Sequence, residues 1–313
     1  MSFHTPELTR RNAGPERGRR HAPLSPVMAD PALRLDENVP GDFYVDSTCI
    51  DCDACRVLAP AVFSDERDQS FVFHQPESEE ELLAAQKALI TCPTSSIGSA
   101  TGARAAIDAL PERIADDVYR CGYASESSFG AISYFLDDPK ILIDSPRFAG
   151  PLVKKLANAG GVRRMLLTHQ DDVADHEKFH ERFGCDRVLH RDDVRSHTSM
   201  MEVQPTGVEP IELADDLVMI PTPGHTRGHA VFLYRNQFLF TGDHLAWSPA
   251  RGHLYAFRSA CWYSWPEQIL SMTRLLDYSF EYVLPGHGRP IHLPADEMRA
   301  SLVQCIDWMK GKR

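Results

Sequence analysis

The sequence predicts an α+β chain in two parts, a small N-terminal α+β module followed by a larger C-terminal α+β domain. Three observations predict it. Four of the eight cysteines, Cys49, Cys52, Cys55 and Cys92, fall within residues 40–100. From about residue 118 onward, strand-like and helix-like stretches alternate. Four short His/Asp motifs follow residue 160, each beside an expected strand, where loops at one sheet edge can converge on a pocket.

Bulk composition narrows the function classes. Apolar residues make up 43% and charged residues 25% of 313, as in ordinary globular proteins. No apolar run approaches the roughly 20 residues of a membrane helix, so no membrane role is expected. A net charge of −11 argues against nucleic acid as a partner. Between residues 40 and 100, eleven acids oppose three bases, leaving −8 on that segment. Such a module suits docking of a basic redox partner, or is a merely solvated acidic surface.

Residues 1–38 are expected to be disordered, being rich in Pro, Arg and Ala without apolar periodicity. Met28 is an alternative start to Met1. The cysteine module is expected at 40–100, with short strands at 43–45 and 71–73 and a helix at 79–90 that carries acids in its first turn. Residues 101–114 read as a linker. The second domain is expected at 115–313. Its strands fall at 131–136, 141–143, 164–167, 217–220, 230–234, 237–240 and 282–284, and its helices at 151–158, 174–183, 265–278 and 295–310. Without a signal peptide, the cysteines point to a reducing, cytoplasmic setting. Cys121, Cys185, Cys261 and Cys305 are scattered and read as small buried hydrophobes.

The module's cysteines read Cys49-Ile-Asp-Cys52-Asp-Ala-Cys55, with Cys92-Pro93 following later. Spacings of two residues let three thiolates wrap one corner of a cube, and a distant Cys-Pro closes the cage. Tetrahedral zinc is the alternative, although zinc cysteines usually come as two separated pairs. The pattern resembles single-cluster ferredoxins of the bacterial type. The resemblance implies that all four cysteines bind one [4Fe–4S] cluster, either redox-active or a structural staple.

The later motifs are Thr168-His169-Gln170-Asp171-Asp172-Val173-Ala174-Asp175-His176, Thr222-Pro-Gly-His225-Thr-Arg-Gly-His229, Thr241-Gly-Asp243-His244 and Leu284-Pro-Gly-His287. Taken together they resemble the metallo-β-lactamase superfamily, and the glyoxalase II branch most closely between Thr222 and His244. The resemblance implies an αββα sandwich with two divalent metal ions at the sheet edge. By position, His169 and His225 would bind the first ion. Asp175, His176 and His287 would bind the second, and Asp243 would bridge them. Asp175 and Asp243 would be catalytic, Asp175 by orienting the nucleophile or handling its proton. His229 is expected to pack or to support a ligand. His180, His190, His197, His253 and His292 are expected to be background.

One departure from the family carries chemistry. The usual first motif is His-x-His-x-Asp-His, but here Asp171 stands where the second histidine would be, with Asp172 as the alternative. A carboxylate in place of imidazole moves the preference from zinc towards iron or manganese. The flavodiiron branch also has a carboxylate there, a Glu, although this chain lacks that branch's flavodoxin domain.

Three functions follow. The first is a metal-dependent hydrolase attacking an ester, thioester or lactone of a small-molecule substrate. The second is an oxidoreductase whose diiron site receives electrons from the cluster. The third is an idle electron-transfer or binding protein. Specificity is expected from loops 186–208 and 246–265, where Trp247, Tyr255, Phe257, Trp262, Tyr263 and Trp265 line a pocket or fill core.

Overall fold

The computed structural model describes residues 29–66 and 68–311. In the N-terminal module, β1 (Tyr44–Val45) pairs antiparallel with β4 (Ile97–Gly98), which brings the two ends of the module together. Between them lie α1 (Ala54–Leu58), the hairpin β2 (Phe63–Glu66) and β3 (Gln69–Val72), and α2 (Glu79–Thr91). A capping box starts α2. Ser78 Oγ accepts from the Glu81 amide, and the Glu81 carboxylate accepts from the Ser78 amide. Phe43, Val45, Val62, Phe63, Val72, Ala85, Ala88 and Ile97 form its core.

The expectation of disorder is corrected for residues 29–38, while residues 1–28 and the choice between Met1 and Met28 lie outside the described residues. Asn38 is buried, donates to the carbonyls of Leu35 and Val45, and accepts from the amides of Val45 and Val72. One side chain thus stitches residues 29–38 to two strands, a bond pattern that composition does not reveal.

The linker region holds a helix, α3 (Arg104–Ala109), and the C-terminal domain begins at β5 (Glu112–Ala115). Its first sheet adds β6 (Val118–Arg120), β7 (Tyr134–Leu136), β8 (Ile141–Ile143), β9 (Arg164–Leu166) and β10 (Asp186–Val188). The order is β10-β9-β8-β7-β6-β5, parallel from β8 to β10 and antiparallel elsewhere. The parallel pairs need crossovers, supplied by α4 (Gly150–Asn158) and α5 (His176–Phe183).

The second sheet contains β11 (Ile211–Ala214), β12 (Leu217–Pro221), β13 (Ala230–Tyr234) and β14 (Phe238–Gly242). After the separate hairpin β15 (Ala246–Ser248) and β16 (His253–Tyr255) and helix α6 (Trp265–Arg274), it is completed by β17 (Tyr282–Pro285) and β18 (Ile291–His292). Its order is β11-β12-β13-β14-β17-β18. The chain ends in α7 (Ala295–Met309).

The two sheets pack face to face. Val118, Tyr134, Leu136, Ile143 and Leu166 from the first meet Leu217, Met219, Phe232, Phe240 and Leu284 from the second. Leu152, Leu156 and Phe179 of α4 and α5 cover the outside of the first sheet with Leu142 and Met165. Met272, Leu302 and Ile306 of α6 and α7 cover the outside of the second with Val231, Leu239 and Val283. The layers therefore run helix, sheet, sheet, helix, which is the expected αββα sandwich.

The module rests on the sandwich. Lys87 Nζ lies 2.8 Å from Glu112 Oε1, and Arg147 donates to the Ile90 carbonyl at 3.0 Å. Ala54 and Cys52 pack with the inter-sheet core rather than with the module's own.

Candidate metal centre beside a cysteine cage

The motif residues sit where strands of both sheets end. His169 follows β9, His225 lies between β12 and β13, Asp243 follows β14 and His287 follows β17. Asp144, one residue past β8, sets the first loop. Its Oδ1 accepts from the Thr168 amide at 2.8 Å and from the Thr168 hydroxyl at 3.0 Å. The Thr168 oxygen in turn accepts from His169 Nδ1 at 2.9 Å. This network assigns the tautomer and leaves the Nε2 lone pair of His169 facing the cavity. Burial pushes the pKa of His169 down to about 3, so the ring is a neutral donor.

Asp193 joins the first two motif loops. It accepts from the Gln170 amide at 3.1 Å, from the Gly228 amide at 2.7 Å and from the Thr226 hydroxyl. The rings of His169 and His225 consequently meet edge to face, with centroids 4.7 Å apart.

Nε2 of His169 and Nε2 of His225 each lie 3.9 Å from Asp171 Oδ2 and 3.8 Å from Asp243 Oδ2. These separations are too long for hydrogen bonds. Donors about 2.0–2.2 Å from one shared ion stand about 3–4 Å apart, so the spacing fits a coordination shell. A second group, His169, Asp172 and Asp243, is equally compact. Nε2 of both histidines and both oxygens of Asp172 are buried without any hydrogen-bond partner. Buried polar atoms left so are costly, and a divalent cation satisfies all of them.

Asp243 faces two ways. Its Oδ2 points to the His169/His225 pair, and its Oδ1 lies 2.7 Å from His287 Nδ1. This suits a bridging carboxylate. Burial opposes its ionisation, but His287, His169 and His225 hold its pKa well below the ordinary range. Burial also opposes charge on His287, yet Asp243 raises its pKa to about 10. Asp172 is pushed up by burial and by the Asp243 charge.

Two of the expected ligands, Asp175 and His176, stand outside these groups. Asp175 accepts from the Phe148 amide and from Lys178 Nζ, both at 2.7 Å, just ahead of α5. His176, the first residue of α5, faces Arg187, with its Nδ1 3.0 Å from Nη1. Burial and that guanidinium push its pKa to about 4. Neither residue joins the metal-capable groups among the described residues, and nor does His287, which faces Asp243 instead. Asp171 and Asp172 each stand in one of the two groups, both of which share His169.

Gly286 shows how tightly the carboxylates are held. A Cβ there would lie 2.7 Å from Asp172 Oδ2 and 3.2 Å from Asp243 Oδ1. Gly286→Ala is expected to weaken metal affinity by about 10–100-fold, the usual effect of displaced ligand support, in a chelator-competition titration. Unchanged affinity would show that both carboxylates are free to move.

Among the other expected residues, Cys121, Cys185 and Cys305 are buried, and Cys261 Sγ donates to the Gly224 carbonyl at 3.2 Å. His229 is buried, bonded to Thr222 Oγ1 and 5.3 Å from the His169 ring. Tyr255, Phe257 and Trp262 line the metal cavity, whereas Trp265 packs on Trp308.

The four module cysteines, none of them in a disulfide, line one small chamber with Val45, Ile50, Ser70 and Thr94. Burial and the neighbouring sulfurs push the Cys52 thiol up to about 12, and raise Cys55 and Cys92 likewise. Four such sulfurs cannot share a chamber as thiolates without positive charge between them, so the donor set fits an iron–sulfur cluster. Residues 45–99 match the family model described as the 4Fe-4S single cluster domain of ferredoxin I. The N-terminal module is a [4Fe–4S] ferredoxin-like domain.

No curated protein sequence matches the chain. Among solved structures it is similar to a metallo-β-lactamase from Pontibacter korlensis, at 17% identity and a TM-score of 0.48, over 64% of this chain and 98% of that one. It is also similar to an archaeal metallo-β-lactamase superfamily protein from Sulfolobus tokodaii, at 17% identity and 0.43, over 61% and 86%. A third similarity is to TTHA1623 in a di-iron-bound form, at 22% identity and 0.39, over 54% and 92%.

The ferredoxin-like module does not stand apart from the metal centre. A cavity of about 770 Å³ is lined by Asp171, Asp172, His225, Asp243 and His287, and by Cys52 of the cage. Nothing in either motif announces this, nor the roles of Asp144 and Asp193. An Asp directly after an apolar strand was the only available signal for Asp144.

Proposed function

We propose that the chain is a metal-dependent oxidoreductase in which the ferredoxin-like module feeds a carboxylate-rich two-metal centre. The observation that carries this reading is the common cavity, where Cys52 of the cage and five of the metal-facing residues form one wall system. His169, His225, Asp171 and Asp243 would hold one ion, and Asp172, Asp243 and His287 the other. Three carboxylates in that set favour iron or manganese over zinc. When bound, the ions supply Lewis acidity and, as iron, exchangeable electrons, while the cluster supplies electrons singly.

The chain's own residues shape what enters. Trp262 and Phe129 are 67% and 54% exposed at the cavity, so aromatic surface greets a small substrate at the mouth. The acidic module suits a basic electron donor. Four cluster thiolates and four further cysteines outside any disulfide support a reducing compartment such as the cytoplasm. No helix among the described residues is long and apolar enough to cross a membrane.

Hydrolysis of an ester, thioester or lactone is the second reading. It is favoured by the cavity volume, which lies within the range of pockets that enclose whole organic ligands. Metal analysis of anaerobically purified protein separates the two. About six irons per chain and consumption of a small oxidant that depends on added reductant are expected. Four irons with two zincs, together with ester cleavage indifferent to reductant, would overturn the redox reading.

A further inference from the structure

The two parts of the chain meet at a specific corner of the cage. Of the four cage cysteines, Cys52 alone lines the metal cavity. Cys55 and Cys92 belong to the module's own core with Cys49 against it, whereas Cys52 packs with the inter-sheet core of the sandwich. Its neighbour across the boundary is Gly130, with φ of +86°. A Cβ at Gly130 would sit 2.6 Å from both Cβ and Sγ of Cys52 and 3.3 Å from Pro93 Cγ. Only a residue without a side chain lets the sandwich backbone touch the cage sulfur directly.

The same turn touches the metal-facing side. The carbonyl of Phe129, one residue before Gly130, accepts from His287 Nε2 at 3.1 Å, while Nδ1 of that imidazole faces Asp243. The Ile132 amide donates to the Gly286 carbonyl at 2.8 Å and fixes the turn against the His287 loop. Two residues past His287, Arg289 reaches back over the boundary. It donates to the Arg56 carbonyl on α1, and its Nη2 lies 3.4 Å from Asp53 Oδ1, next to Cys52 in sequence. Asp53 is also paired with Arg56 at 2.5 Å, so one carboxylate ties both guanidinium groups.

We propose that Gly130 and Arg289 are positioning residues that hold the Cys52 corner of the cage against the metal cavity, making Gly130, the Phe129 carbonyl and His287 the electron route between them. This rests on the redox reading above. The Cys52 sulfur, the Gly130 backbone and the Phe129 carbonyl bonded to His287 form a continuous contact path. In the transfer, one electron leaves the reduced cluster, which is oxidised by one unit, and one ferric ion becomes ferrous. No bond forms or breaks, and a one-electron donor of the flavin or iron–sulfur protein class restores the cluster.

The test uses the full-length, iron-loaded protein with dithionite as reductant. Stopped-flow absorbance follows cluster reoxidation, and microwave-power saturation of the reduced cluster's EPR signal reports its magnetic contact with the second centre. In the wild type, saturation is harder when the second centre is loaded with a paramagnetic ion than when it is stripped. Gly130→Ala and Arg289→Met are expected to slow reoxidation by at least about tenfold, since displacements near 1 Å cost up to about 10²-fold in positioned reactions. They should also ease saturation, with cluster and metal content intact, and Arg289→Lys should recover part of the rate. Arg289→Met serves should Gly130→Ala fail to fold. If the wild type shows contact and fast transfer while both substitutions leave them unchanged, the route is wrong and the redox reading stands. If the wild type shows neither, the redox reading falls and the route with it.

Discussion

Asp172→Asn is expected to cut the metal content of the two-metal centre from two ions per chain to one, while making the metal-free protein more stable. The first effect follows from the two Asp172 oxygens, which are buried, unpartnered and close to Asp243, the carboxylate proposed to face both ions. An amide offers a much weaker donor to a hard cation than a carboxylate. The second effect follows from the same burial. An uncompensated polar group inside a protein costs about 1–3 kcal/mol, and a carboxylate beside ionised Asp243 costs more than a neutral amide of the same shape.

The pH dependence of this stabilisation has a definite sign. Burial and Asp243 raise the pKa of Asp172 in the folded state. The wild type's metal-free stability from this group is therefore full below the ordinary carboxylate pKa near 4 and falls as pH rises through the higher folded value. The substitution removes that loss. The gap between Asp172→Asn and wild type in metal-free melting curves should widen with rising pH. A substitution that left two ions bound, or lowered the metal-free melting temperature at every pH, would return the second position to other ligands.

Cys52→Ala is expected to remove four irons per chain and the brown colour. Metal sites bound by several protein ligands contribute on the order of 10 kcal/mol to the fold they hold. The module's core closes around the cage, so residues 29–100 should become sensitive to protease, while the sandwich keeps its own ions. Cys261→Ala is the contrast, because that thiol donates to a carbonyl and lies outside the cage. Retained iron in Cys52→Ala, or lost iron in Cys261→Ala, would mean that the cluster is held differently.

Much of this site was legible in the sequence because short loops after apolar strands announce themselves. His169, His225, Asp243 and His287 each follow an apolar strand end, and Gly224 and Gly286 mark two of the tight turns. The cage was legible from spacing alone. Asp175 and His176 form an adjacent Asp-His pair like that of the motif but stand outside the compact groups, whereas Asp144 and Thr168 anchor the start of the loop that carries Asp171 and Asp172. Those bonds span 24 residues and have no periodic signature. Strands such as β10 and β11 escaped notice because they are short and carry exposed polar residues at the sheet edges. The early ordering at Asn38 escaped for a similar reason, since it depends on partners at Val45 and Val72. The meeting of Cys52 with the metal cavity is a property of docking between segments far apart in sequence, and no local pattern encodes it.

That meeting is the centre of the functional account, and Mössbauer spectroscopy of the iron-loaded chain tests it most directly. Protein isolated without air, given one electron per chain and frozen within the dead time of rapid mixing, should show the electron divided between the [4Fe–4S] cluster and a separate ferrous site. Over successive freezing times the ferrous signal should grow as the cluster reoxidises. A spectrum in which the electron stays on the cluster at every time, with six irons bound, would contradict the claim that cage and metal centre work as one.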